Sequence, residues 1–216
     1  MLWDMNNTEE LMQKAPFEKP EKQIIVAISG KSASGKDTLA KGLAKHNTLK
    51  NYTHLIVSDT TRPPRDYEIN DIDYHFITTS QFLSNIHYEK YLETTSFRGW
   101  YYGTNKMEIC YPINIGVFNP AGMLQLLYND NYIVIPVILK TSLITRLVRS
   151  YDREHKWKWE YIRRAWTDFK DFRYFEKTVQ KHSKEKPFTI STETFSKEQI
   201  IGLTAWRVYR NVSYLK

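Results

Sequence analysis

A single cysteine, Cys110, stands in 216 residues, so no disulfide can form within the chain. Apolar runs are short, and none approaches the ~20 residues needed to cross a bilayer, which excludes a helical membrane protein. The opening stretch "MLWDMNNTEELMQKAPFEKPEKQ" lacks the basic-then-apolar order of a secretion signal. Together these absences lead to the expectation of a reducing, cytoplasmic setting. Internal repeats and low-complexity tracts are missing as well, and no His or Cys grouping suggests a nucleophilic site. What remains is ordinary for one soluble domain: 41% hydrophobic and 25% charged residues.

Acidic residues are in deficit, 24 against 31 Lys and Arg, for a net charge of +7. The excess is local: residues 146–186 hold 13 Lys and Arg against 7 Asp and Glu. Such a segment suits a polyanion, whether nucleic acid or nucleotide, or forms a solvated helix face.

The first 20 residues are polar, end near the Pro-bounded "APFEKPEK", and carry no recognisable chemistry. "QIIVAIS" (Gln23 to Ser29) is a continuous β-branched run, as expected of a strand buried on both faces. "THLIVS", "NIGVFN", "YIVIPVIL" and "PFTIST" read the same way. Helical patterns lie between them at Lys36 to His46, Ala121 to Tyr128, Ser142 to Tyr151 and Ser196 to Val208. Strands alternating with helices predict an α/β fold with a parallel sheet. Two segments interrupt the rhythm: Arg62 to Asn105 reads as a small β-rich insertion, and Asp152 to Lys186 as charged, aromatic and helical.

The stretch "AISGKSASGKDTLAKGL" places Gly30, Gly35 and Lys36 between a strand and a helix, the order of a P-loop. Glycines let backbone N–H groups of Ser32, Ala33, Ser34 and Gly35 turn inward, and the helix N-terminus adds partial positive charge at the same spot. Lys36 then reaches the β- and γ-phosphates of ATP. Asp37 departs from the usual hydroxyl that meets Mg²⁺. Two readings stay open: Asp37 binds the metal through its carboxylate, or it caps the helix and Thr38 takes the metal.

"VSDTTRPPRDYEINDIDYHFI" (Val57 to Ile77) followed by "YLETTSFRGWYYGT" (Tyr91 to Thr104) resembles the nucleoside-monophosphate-binding region of guanylate kinases. The resemblance spans Ile24 to Thr104 by motif. It implies that Arg62, Arg65, Tyr74 and Tyr102 grip the acceptor phosphate, for which guanidiniums and phenols are suited donors. It implies further that Ser58, Glu93 and Thr104 read guanine, whose N1–H and exocyclic amine a carboxylate can accept together. In place of the family's aspartate pair, "GVFNPAG" offers Val117 and Asn119.

By the same resemblance, "SLITRLVRS" is the entry to a helical lid, with Arg146 and Arg149 directed at phosphates, and either Arg163 or Arg164 is the lid arginine beside the transferred group. Arg164 and Asp168, four apart, are also placed for a helix-surface ion pair. Ser191 falls in the adenine-side loop. The implied organisation is a lead (1–20) and a P-loop kinase domain (21–216). Its core is 21–58, 106–145 and 187–216, its acceptor-binding insertion 59–105 and its lid 146–186. The implied activity is transfer of the ATP γ-phosphate to GMP or dGMP with Mg²⁺. The alternatives are a kinase with a shifted acceptor, such as another or modified dNMP or a nucleotide in DNA, and a non-catalytic module. The expected partners are nucleotides and no membrane, with nucleic acid left open; a monomer or homodimer is expected.

Overall fold

A computed structural model describes residues 21–97, 99–154 and 159–213, the side chains of 153, 154, 160, 161, 164 and 213 excepted. The polar lead therefore lies outside the described residues. Strand β1 (Ile24–Gly30) is buried along its whole length, as its continuous apolar run requires. It pairs in parallel with β7 (Ile113–Val117) on one side and β8 (Ile133–Lys140) on the other. β2 (Thr53–Leu55) and β9 (Phe188–Ser191) complete a five-stranded parallel sheet in the order β2-β7-β1-β8-β9.

Alternate residues of β1 feed two cores. Ile24, Val26 and Ile28 pack with Leu39 and Leu43 of helix α1 (Lys36–Ala44). On the other face, Ile25 and Ala27 meet Met123 and Leu126 of helix α3 (Pro120–Leu127). Each such Ile stabilises by roughly 1.5 to 3 kcal/mol relative to exposure, so the sheet is a rigid floor. This is a P-loop-type α/β sandwich with its loop at the carboxyl end of the central strand.

β2 is shorter than the apolar run around it. The Ile56 amide still donates to the Ile115 carbonyl at 2.8 Å, while the Val57 amide, facing away from β7, donates to Glu108 Oε2 at 2.8 Å, and the chain leaves the sheet there. It enters a second sheet of β3 (Asp59–Thr60), β4 (His75–Phe76), β5 (Tyr91–Phe97) and β6 (Trp100–Asn105), ordered β4-β3-β6-β5. The β-rich reading of this segment needs one correction. Helix α2 (Thr79–His87) lies within it, started by a reciprocal capping box between Thr78 and Gln81. Phe82 from α2 is fully buried and stacks on Tyr91 and Tyr101, fixing helix to sheet.

Between β8 and β9 run α4 (Leu143–Glu154), α5 (Trp159–Asp171) and α6 (Phe175–His182). The charged segment is not uniform. Phe175 and Val179 of α6 are buried among the Ile25-side core, so α6 is part of the core layer and only α4 and α5 lie outside it. The last helix, α7 (Lys197–Ser213), contributes Ile200, Ala205 and Val208 to the α1-side core.

Candidate active site

The loop between β1 and α1 takes left-handed backbone at Ala33 (φ 60°) and Gly35 (φ 92°). At Gly30 a Cβ would lie 2.9 Å from the Leu139 carbonyl oxygen, so the neighbouring strand excludes any side chain there. Lys36 Nζ donates to the Lys31 carbonyl at 3.1 Å, folding its ammonium back over the loop. Ser34 Oγ is buried with no hydrogen-bond partner.

Asp37 and Thr38 are exposed on the first turn of α1. Asp37 faces the second sheet: its charge is among the causes that push the Tyr74 phenol up to about 12, after burial. One turn on, Lys41 pairs with Asp73 at 3.0 Å, so this face of α1 looks across at the insertion. The N-cap of α1 is Gly35, which has no side chain to cap with, and Asp37 is the acidic residue of the first turn. A carboxylate and a hydroxyl are hard oxygen donors that fit a magnesium ion arriving with nucleotide phosphates. Among the described residues no grouping of three or more His, Cys, Asp or Glu could hold a metal by itself.

Across the cleft, Arg62 and Arg65 converge on a residue that the sequence reading passed over. Glu68, nearly buried, accepts from Arg62 Nη2 at 2.9 Å, Arg65 Nη1 at 3.2 Å and the Arg65 amide at 2.8 Å. The Arg62 guanidinium also lies over the rings of Tyr74 and Phe76, at 5.5 and 5.7 Å. Tyr74 meets Tyr102 edge-on at 6.2 Å. Each guanidinium has five N–H donors, so the Glu68 contacts fix both side chains while leaving donors for a further anion.

Glu93, Thr104 and Ser58 form a chain. Thr104 Oγ1 donates to Glu93 Oε1 at 2.9 Å, and Ser58 Oγ lies 3.2 Å from Thr104 Oγ1. Burial raises the Glu93 carboxyl to about 7, with Thr104 partly offsetting it. Helix α3 makes the room: a Cβ on Gly122 would stand 2.5 Å from Glu93 Oε2. Asn119 is the N-cap of α3, accepting from the Gly122 amide at 2.8 Å and donating to Thr95 at 2.8 Å. It therefore ties α3 to β5. Val117, at the end of β7, has no polar atom in its side chain to offer.

The lid-side arginines divide. Arg146 is buried; its Nη1 donates to Asp168 Oδ2 at 2.6 Å, and its Nε has no hydrogen-bond partner. The same Asp168 oxygen accepts from the Ser32 amide at 2.9 Å. Asp168 was read from sequence as a surface partner for Arg164, whose side chain lies outside those described; its carboxylate is engaged at the P-loop. Arg149 reaches Thr192 Oγ1 at 3.2 Å, one residue beyond Ser191, whose hydroxyl accepts from the Glu193 amide at 3.3 Å. Arg163 lies on the outer part of α5, in a hollow with Trp159, Ile162 and Trp166.

Residues 21–114 match the guanylate kinase family model. The guanylate kinase of Clostridium acetobutylicum is 38% identical over 96 residues, 44% of this chain and 44% of that protein. That of Neisseria gonorrhoeae is 45% identical over 82 residues, 38% of each. The matches thus span less than half of the length of these curated relatives. A crystal structure of guanylate kinase from Anaplasma phagocytophilum covers 89% of this chain and 85% of its own, with a TM-score of 0.57 at 17% identity, a likeness of fold. Segment 21–114 is thus similar in sequence to guanylate kinases, and the chain shares their fold.

Proposed function

We propose that the chain is an ATP-dependent nucleoside monophosphate kinase that acts on GMP or dGMP in the cytoplasm. The γ-phosphoryl group leaves the β-phosphate oxygen, and an oxygen of the acceptor's phosphate forms the new P–O bond, releasing ADP. The reading rests on one observation above all. A buried carboxylate, Glu93, stands in a hydroxyl chain with Thr104 and Ser58, in the same insertion as two guanidiniums held by Glu68. Such a site recognises a base with paired N–H donors and a phosphate together. Phosphoryl transfer asks for positioning and charge neutralisation more than covalent help, and the residues here supply those.

On this reading Arg62, Arg65, Tyr74 and Tyr102 hold the acceptor phosphate. The P-loop amides and Lys36 hold ATP, while Arg146, Arg149 and, of the two lid candidates, Arg164 rather than the outward-lying Arg163 neutralise the transferring group. Asp37 and Thr38 would hold the magnesium ion, which, when bound, offsets charge on the β- and γ-phosphates.

Coupled ADP release with every common NMP and dNMP as acceptor tests the assignment. GMP and dGMP should lead by at least ten-fold in kcat/KM. Preference for another monophosphate would identify a shifted acceptor, and ADP release indifferent to all of them would remove the kinase reading.

A further inference from the structure

Helix α5 has two unlike faces. Asp168 looks inward, on the Ser32 amide. Trp159, Trp166 and Lys170 are about 180 to 200° from Asp168 on a helical projection at ~100° per residue. They stand on the opposite face, which stays outward while α5 is docked on the loop. There Trp159 is 85% exposed and Trp166 64%. Isolated exposed apolar residues are ordinary, but two indoles on one stripe are not.

The stripe alternates ring and cation. Trp159, Arg163, Trp166 and Lys170 follow one another at four, three and four residues, so they run down one side of the helix. Between the indoles, about 10 Å apart along the axis at 1.5 Å per residue, a hollow of about 470 Å³ is lined by Trp159, Ile162, Arg163 and Trp166. Phe169 stacks near-parallel on Trp166 at 6.3 Å, and Lys170 Nζ lies 5.7 Å from the Trp166 ring centroid. Six of the seven net positive charges of the chain fall in residues 146–186.

We propose that this outward face of α5 is a docking surface for single-stranded nucleic acid. Unpaired bases stack on the Trp159 and Trp166 rings, and the phosphates between them meet Arg163 and Lys170, which carry the complementary charge. Rings interleaved with cations on one exposed stripe are a feature that single-strand binding uses. A membrane-lying helix segregates its cations to the polar side, away from the rings; here they share the stripe. A duplex keeps its bases stacked inside and offers the indoles nothing to stack on. The inference does not depend on the acceptor assignment.

The test is fluorescence anisotropy of a labelled oligo-dT of about 12 nucleotides, within the usual site sizes. It uses the full chain with saturating ADP and GMP to occupy the nucleotide sites. Binding should quench indole emission and weaken with salt along a straight log–log line. Trp166→Ala should weaken binding about five- to a hundred-fold, the range that base–aromatic stacking spans, and Trp166→Phe should restore most of it. Lys170→Glu should weaken binding and flatten the salt slope by about one to two. Nucleotide kinase turnover should be unchanged in all three variants. Equal competition by a duplex of the same length, or indifference to Trp166→Ala, would overturn the proposal. So would oligonucleotide-independent, Trp166-dependent uptake onto phosphatidylserine vesicles, or a Trp166-dependent dimer that binds no oligonucleotide.

Discussion

On the acceptor side, Glu68 lies behind Arg62 and Arg65; on the lid side, Asp168 lies between Arg146 and the P-loop. Both carboxylates are largely buried and both tether arginines, yet they differ in what they leave available. Glu68 satisfies part of each guanidinium; Arg62 Nη1 also donates to the Pro63 carbonyl at 2.7 Å and Arg65 Nη1 to the Tyr67 hydroxyl at 3.3 Å, and other N–H donors remain. Asp168 accepts from a loop amide of the kind that cradles phosphate. On the reading proposed above, the acceptor site is therefore preorganised, whereas the donor site must first give up an internal anion. Substitutions on the two sides should differ in kind: loss of grip on one, and release on the other.

The largest effect tests whether the donor side works at all. Lys36→Ala should lower kcat by at least a hundred-fold, the scale for removal of a charge-stabilising donor at the reacting group. Circular dichroism should be unchanged, because Lys36 contacts the loop carbonyl of Lys31 and not the core. Near wild-type turnover would remove the P-loop from the mechanism.

Glu93→Gln should be next. One acceptor oxygen becomes a donor facing a guanine donor, and a hydrogen bond to a charged group contributes roughly 1.5 to 3 kcal/mol, so GMP kcat/KM should fall about ten- to a hundred-fold. The ATP KM should hardly move. The raised carboxyl adds a pH signature. Guanine N–H groups need the ionised form, so GMP kcat/KM should rise as pH passes about 7, and Glu93→Gln should lose that limb while keeping the one from the GMP phosphate. Stability carries the opposite sign. With a folded value of about 7 against an ordinary 4.5, the contribution of this group is full below 4.5 and is lost as pH rises through 7. Denaturant midpoints across that window, compared with Glu93→Gln, would reveal it. An unaltered pH profile in the variant would make Glu93 structural.

Glu68→Gln should act more mildly. An amide still accepts from one guanidinium but no longer neutralises the pair, so the GMP KM should rise about three- to ten-fold with kcat little changed. A matching loss in ATP affinity would instead show that the two sides are not separable.

What could be read in the sequence follows from how local each signal is. The P-loop is contiguous: Gly30, Gly35 and Lys36 carry their geometry in their spacing. The proposed acceptor set could be named because its residues recur in a fixed order over one segment. Glu68 escaped notice because a carboxylate three residues after Arg65 looks like any loop carboxylate; only the turn from the Glu68 amide to the Arg65 carbonyl makes it an anchor. Helix α2 did leave a trace, the Thr78-x-x-Gln81 box, masked by the surrounding β-branched and aromatic residues. Asp168 left none, since its partner Ser32 is 136 positions away and helical spacing pointed to Arg164.

The smallest effect bears most directly on the contrast between the sides. On the proposed reading, nucleotide entering the P-loop competes with Asp168 for the Ser32 amide and for Arg146, two hydrogen bonds that share one carboxylate oxygen. An intramolecular hydrogen bond contributes a net ~0.5 to 1.5 kcal/mol, so Asp168→Asn, which keeps the shape and drops the charge, should tighten ATP binding about two- to ten-fold. The gain should appear in the absence of acceptor, in titrations with a fluorescent ATP analogue, and should leave the GMP KM alone. Proteolysis between α4 and α5 should quicken in the variant without nucleotide, because the carboxylate that holds α5 on the loop is gone. Weaker ATP binding would reverse the reading. Asp168 would then serve the nucleotide by orienting Arg146, and the lid side would be as preorganised as the acceptor side.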